Sequence, residues 1–189
     1  VIVLIGLFKV GVNGRKFNIS PAVLTKTTWD LDVDGVMLVQ TAGTYTITPL
    51  TSFVAKGELG GGGGGGSSVG FSGGSTGGNG GSSTLGSLTA GRGTGGTTIA
   101  AGSPGGASGG DTNTAGVGKT GASPLGGNGG NGQPADSPNV PGYPGGGGGS
   151  LIKLAYSFTV GSPVSLVVGI RGAAGTWGSP GIVGKARLT

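Results

Sequence analysis

Gly60–Gly66 (GGGGGGG) is an unbroken run of seven glycines, and the field it opens closes with a run of five, Gly145–Gly149. Between residues 60 and 149 lie 38 of the chain's 51 glycines. Only Arg92, Asp111, Lys119 and Asp136 carry charge there. Glycine has the most backbone entropy to lose on ordering. A field of this kind is therefore either a disordered linker or an architecture that only glycine can build. Gly126-Gly127-Asn128-Gly129-Gly130-Asn131-Gly132 has a local period of three, which is the period of the polyproline II helix. Helices of that type can pack backbone to backbone where no Cβ intervenes, exchanging N–H···O=C bonds. Collagen is excluded, because no strict G-X-Y period persists and only 10 residues are proline. The fillers are mostly Ser, Thr, Asn and Ala, which also suits a linker. A linker has little use for Phe71, Leu85, Leu88, Ile99, Leu125, Val140 and Tyr143.

Working outward, the flanks read as strands. Val1–Val12, a turn at Asn13-Gly14 and Arg15–Ile19 form a β-hairpin, with Pro21 breaking the ladder. In Val23–Asp34 the alternation places Trp29, Leu31 and Val33 on one side and Asp30, Asp32 and Asp34 on the other. Asp34-Gly35 turns the chain into Val36–Gln40, and Thr44–Ile47 and Ser52–Leu59 follow. After the field come Leu151–Val160, Val164–Ile170, a small Gly-rich loop at Gly172–Gly181 containing Trp177, and Ile182–Leu188. No segment before residue 60 has a helical apolar period. Strands on both sides of the field must share one core, since neither flank alone buries both faces of a sheet. The expected fold is all-β: a small β-sandwich with a long glycine-rich insertion packed as polyglycine II helices, and essentially no α-helix. The expected division is residues 1–43 as an N-terminal β-hairpin region for attachment or subunit contact. Residues 44–189 form the glycine-rich sandwich domain, with 60–149 as its insertion.

Bulk chemistry removes whole function classes. The 189 residues include no Cys and no His, so disulfides, thiolate chemistry, imidazole bases and the usual zinc sites are excluded. The formal charge is +5, but the basic residues are scattered, and no nucleic acid partner is expected. Val1–Leu7 is apolar yet far shorter than the roughly 20 residues of a membrane span; it reads as a buried strand.

Four motifs resemble chemistry. Asp30-x-Asp32-x-Asp34-Gly35 matches the first half of a calcium loop, making these three aspartates a weak Ca²⁺ candidate; position twelve, which should be Glu, is Thr41. Gly116-Val117-Gly118-Lys119-Thr120 is close to a phosphate-binding loop, but Asn113 stands where its first glycine should be. Gly91–Gly96 fits G-x-G-x-x-G with no strand–helix context. Gly73–Gly77 fits G-x-S-x-G, and without histidine the usual triad cannot form. No enzyme and no cofactor are expected.

The order ITPLTSFVAKGELGGGGGGG (residues 47–66), a glycine field, GGGGGSLIKLAYSFTVGSPVSLVVGIRGAAG (residues 145–175) and GSPGIVGKARL (residues 178–188) resembles the glycine-rich domain of bacteriophage tail fibre and tail-tip proteins. The field itself is similar to that of tail-tip adhesins of the T-even group, whose fields fold as packed polyglycine II helices with variable loops at their tips. The likeness covers residues 44–189; Pro163 departs from it, because the family has Pro-Gly there. The resemblance implies a non-enzymatic virion structural protein on the tail tip or capsid exterior. Its partners would be other virion proteins, further copies in a homo-oligomer (a trimer among the candidates), and a host cell-surface receptor, an outer-membrane protein or glycan. It further implies receptor contacts from the non-glycine segments Ser82–Ala90, Thr97–Ala101, Asp111–Thr120 and Gln133–Pro144, within which Leu85, Leu88, Ile99 and Tyr143 are the candidates. The alternatives are a capsid or head decoration protein, an ice-binding protein of packed Gly-rich helices, and a disordered Gly-rich matrix protein.

Overall fold

The computed structural model describes residues 14–69, 74–132 and 141–189. The expected strand Val1–Val12 and most of the segment Gln133–Pro144 lie outside the described residues. In chain order the elements are β1 (Lys16–Val23), β2 (Lys26–Asp30), α1 (Leu31–Asp34), β3 (Met37–Val39), β4 (Gly43–Pro49), β5 (Phe53–Gly60), β6 (Ser83–Leu85), β7 (Leu88–Ala90), β8 (Ala107–Ser108), β9 (Thr112–Thr114), β10 (Ser150–Phe158), β11 (Val164–Val168) and β12 (Lys185–Leu188). They form two antiparallel sheets, ordered β2-β1-β4-β11-β6-β7-β8 and β3-β12-β5-β10-β9. The protein is essentially all-β, as the strand periodicity predicts.

Period-two alternation builds the core. In β1, Phe17 and Ile19 point inward while Lys16, Asn18 and Ser20 face solvent. In β4, Tyr45 and Ile47 point inward while Thr44 and Thr46 face solvent. Phe17 of one sheet stacks on Phe53 of the other at 6.0 Å between centroids, and Phe53 stacks on Phe158 of its neighbouring strand at 4.7 Å. Each buried side chain of this size contributes about 1.5–3 kcal/mol.

Two expectations change. The boundary at residue 43 does not hold: β1 pairs with β4 and β3 pairs with β12, so the N-terminal strands belong to the same two sheets and the same core as the rest. The strand expected over Val23–Asp34 ends at Asp30, because Asp30 caps a single helical turn, its carboxylate accepting the Asp32 N–H at 3.1 Å. Gly35 closes the turn at φ +74°, and Val33, expected beside Leu31, is 81% exposed.

Candidate functional site: the glycine bundle and its distal end

Beyond the sheets the strands do not stop; they continue as three-per-turn rods. The central rod, residues 60–67, follows β5. Its N–H groups donate to three neighbours in rotation. Gly61, Gly64 and Ser67 bond Gly149, Gly146 and Tyr143, each at 2.9 Å. Gly62 and Gly65 bond Gly81 and Gly78 at 2.9 and 2.8 Å. Gly63 and Gly66 bond Ile182 and Ser179 at 2.9 and 3.0 Å. These partners descend in number, so all three neighbours run antiparallel. Its carbonyls accept from three parallel rods: Gly62 and Gly65 from Gly93 and Gly96, Gly61 and Gly64 from Gly127 and Gly130, Gly63 and Gly66 from Gly172 and Gly175. The six rods also bond each other around the ring in the order 142–149, 91–96, 75–81, 169–175, 178–184, 126–132 and back to the first. The result is a hexagonal polyglycine II bundle. A further rod, 102–106, lies against 91–96 and 142–149.

Neighbour number dictates the glycine pattern. A Cβ on the central rod would strike a backbone carbonyl oxygen at every position. Gly60, Gly63 and Gly66 would meet Leu125, Asn128 and Asn131; Gly61 and Gly64 would meet Gly91 and Thr94; Gly62 and Gly65 would meet Ile170 and Ala173, all at 1.7–2.1 Å. Six neighbours leave no free direction, hence the unbroken run. An outer rod needs glycine only where it faces inward. The rods 169–175 and 178–184 carry it at 169, 172, 175, 178, 181 and 184. The exposed Ile170, Arg171, Ala173, Thr176, Trp177, Pro180 and Ile182 fall between those positions.

The distal end, away from the sheets, is tied by short hydroxyls. Ser67 Oγ donates to the Thr97 carbonyl at 2.7 Å and accepts the Tyr143 N–H at 2.9 Å. Ser75 Oγ lies 3.0 Å from Ser68 Oγ and 2.9 Å from Thr176 Oγ1. Thr97 Oγ1 accepts the Ala100 N–H at 3.0 Å, shaping the turn that carries Ile99. From this framework Ile99 projects 83% exposed and Trp177 70% exposed, with Tyr143 half-buried beside Ser67.

Of the four candidate contact residues, Ile99 and Tyr143 therefore sit at the distal end. Leu85 and Leu88 do not. They face each other across the β6–β7 hairpin, inside the core between the sheets, and are 0% and 4% exposed. The physical reason is alternation: Ser83-Thr84-Leu85 and Leu88-Thr89-Ala90 flank a Gly86-Ser87 turn, with Gly86 at φ +55°. Trp177, outside the four candidates, is an exposed aromatic signalled in the sequence as a lone large residue among the glycines of 172–181.

The aspartate triplet does not gather into a metal-ligand group. Each carboxylate is drawn to a different cation: Asp32 to Arg15 at 2.7 Å, Asp34 to Lys26 at 2.6 Å and Asp30 to Lys16 at 3.5 Å. The Arg15 backbone N–H, then its guanidinium, lower the Asp32 pKa; for Asp34 the Asp30 N–H and then Lys26 do so. Among the described residues no group of three or more His, Cys, Asp or Glu could hold a metal ion. The residues of the phosphate-loop-like stretch form a tight turn bridged between Val117 and Thr120.

No family model matches the chain, and comparisons with curated proteins and with solved structures give no match either.

Proposed function

We propose that this chain is a non-enzymatic structural protein of a bacteriophage virion, a tail fibre or tail-tip adhesin. Its glycine bundle is a stiff mount, and the distal loops meet the host cell surface. The observation that carries this reading is the hexagonal bundle itself, which holds exposed Ile99 and Trp177 at its far end. Every central-rod amide from Gly61 to Ser67 is bonded to a neighbour, so the loops sit on a base with little motion left to lose on binding. Exposed aromatic and large aliphatic side chains are the groups that anchor protein contacts. The sandwich end, with its N-terminal strands, joins the other virion proteins and further copies.

Purified protein, or particles carrying it, with Ile99→Ser and Trp177→Ser should adsorb to host cells at least about tenfold more weakly, the effect of losing an anchor residue. Leu85→Ser is the contrasting change: it should lower stability through the core before it alters adsorption. Unchanged adsorption by the Ile99/Trp177 double variant would rule the distal face out as the contact surface.

A further inference from the structure

The flank of the bundle carries a groove of about 350 Å³ where rods 126–132 and 178–184 meet the turn at Lys119. Lys119, Thr120, Asn128 and Asn131 give it polar walls, and Pro180 and Ile182 an apolar ledge. The hydrogen bonds already made there fix what is left over. Asn128 Oδ1 accepts the Gly121 N–H at 2.8 Å, and Asn131 Oδ1 accepts from Lys119 Nζ at 2.8 Å. Only an amide oxygen can meet these donors, so the two amides cannot be flipped. Neither Nδ2 group then has a partner among the described residues, which leaves both as donors. The exposed Lys119 ammonium keeps hydrogens to spare and has no carboxylate partner among the described residues. The nearby field's one described acid, Asp111, is held by Lys153 Nζ and the Leu154 N–H, each at 2.7 Å. The groove thus offers an ammonium, two amide NH₂ groups and the Thr120 hydroxyl, with no competing carboxylate among the described residues. Such a donor set complements an oxyanion.

We propose that this groove binds the acidic group of a glycan: a carboxylate or phosphate on a sugar ring. The oxyanion meets Lys119 and the Asn131 amide, the ring lies on Pro180 and Ile182, and Asn128 and Thr120 reach its hydroxyls. The source of the glycan rests on the host-surface reading above, whereas the chemistry of the groove does not.

Full-length ¹⁵N-labelled protein titrated with glucuronic acid, glucose 6-phosphate and glucose tests this. The two acidic sugars should shift the backbone amides of Gly129–Asn131 and the side-chain amides of Asn128 and Asn131; neutral glucose should not. Whichever acid binds more tightly identifies the source as carboxylated or phosphorylated. Lys119→Gln should weaken binding at least about tenfold. Asn131→Asp keeps the acceptor for Lys119 and replaces the donor pair by an oxygen, so it should weaken binding as much. Arg171→Gln, at an exposed cation of the same bundle outside the groove, should change nothing. Equal shifts with glucose, no shifts with any sugar, or a loss in Arg171→Gln matching that in Lys119→Gln would overturn the proposal. Adsorption of the Ile99/Trp177 variant is a separate readout, so failure here and failure of the adhesin reading are distinguishable.

Discussion

Replacing Gly63 with alanine is expected to destabilise the protein by more than about 4 kcal/mol, an exceptional value for one methyl group. The new Cβ would lie 2.0 Å from the Asn128 oxygen and 2.4 Å from its carbonyl carbon. Both are backbone atoms, so no side chain can swing aside. Rod 126–132 would have to move, and Gly127 and Gly130 would lose their bonds to Gly61 and Gly64. In an ordinary core, overpacking costs about 1–3 kcal/mol because neighbouring side chains relax; here no side chain is available to relax. Gly106→Ala is the control. Gly106 is exposed, and a Cβ there meets nothing within 4 Å. It should be neutral, or stabilising by up to about 1 kcal/mol through the unfolded state. Denaturant titration followed by tryptophan fluorescence, in which the buried Trp29 reports unfolding, measures both.

Glu58→Ala is expected to cost about 3 kcal/mol, the lower end for breaking a buried ion pair. Glu58 is 2% exposed in β5; Lys56 Nζ lies 2.7 Å from Oε1, and Arg187 of the neighbouring strand donates to Oε2. Lys56 and Arg187 are part-exposed and can turn to water, which holds the loss to that lower end. Burial alone would push the Glu58 carboxyl up. The hydrogen bonds from Lys56 and Arg187, helped by their charges, outweigh it and hold the carboxyl below its ordinary value. The folded pKa is the lower one, so the stabilisation is complete above the unfolded value of about 4.3 and fades as pH falls through the folded value. Melting temperature should therefore drop on acidification below pH about 4.3 in the native protein. In Glu58→Gln the remaining carboxylates still contribute, but the drop should be visibly shallower. An identical acid profile in that variant would show that the triad does not contribute.

Much of this architecture was legible in the residues. The seven-glycine run identifies a rod with no free face, and the alternation of β1, β4 and β5 identifies a sandwich. The expected small Gly-rich loop at Gly172–Gly181 is instead part of two more rods of the bundle, marked by glycine at every third position from Gly169 to Gly184, so the polyglycine II region is not confined to 60–149. There Val164–Ile170 and Ile182–Leu188 read as longer strands than β11 and β12. The extra residues are already in rods, with Gly184 N–H donating to the Gly169 carbonyl. The placement of the four candidate residues was half legible. An exposed Ile99 and a buried Leu88 look alike between glycines, because exposure depends on whether the chain has returned to the sandwich or turned at the distal end. The short Gly86-Ser87 turn between alternating residues marks the return. The groove at Lys119 could not be read locally, since it joins residues from 119 to 182 through the ring of rods.

Amide hydrogen exchange at Gly60–Gly66 tests the central claim most directly. These glycines have no side chains to report on packing, and in a linker their amides would exchange at unprotected rates. In the hexagonal bundle each amide from Gly61 to Gly66 is bonded and buried beneath six rods. Their protection should match that of core strand β5, slower than an open chain by about a thousandfold or more, as for amides released only by global unfolding. Exchange of Gly61–Gly66 at open-chain rates, with β5 still protected, would contradict the bundle and leave the field a linker between two halves of a sandwich.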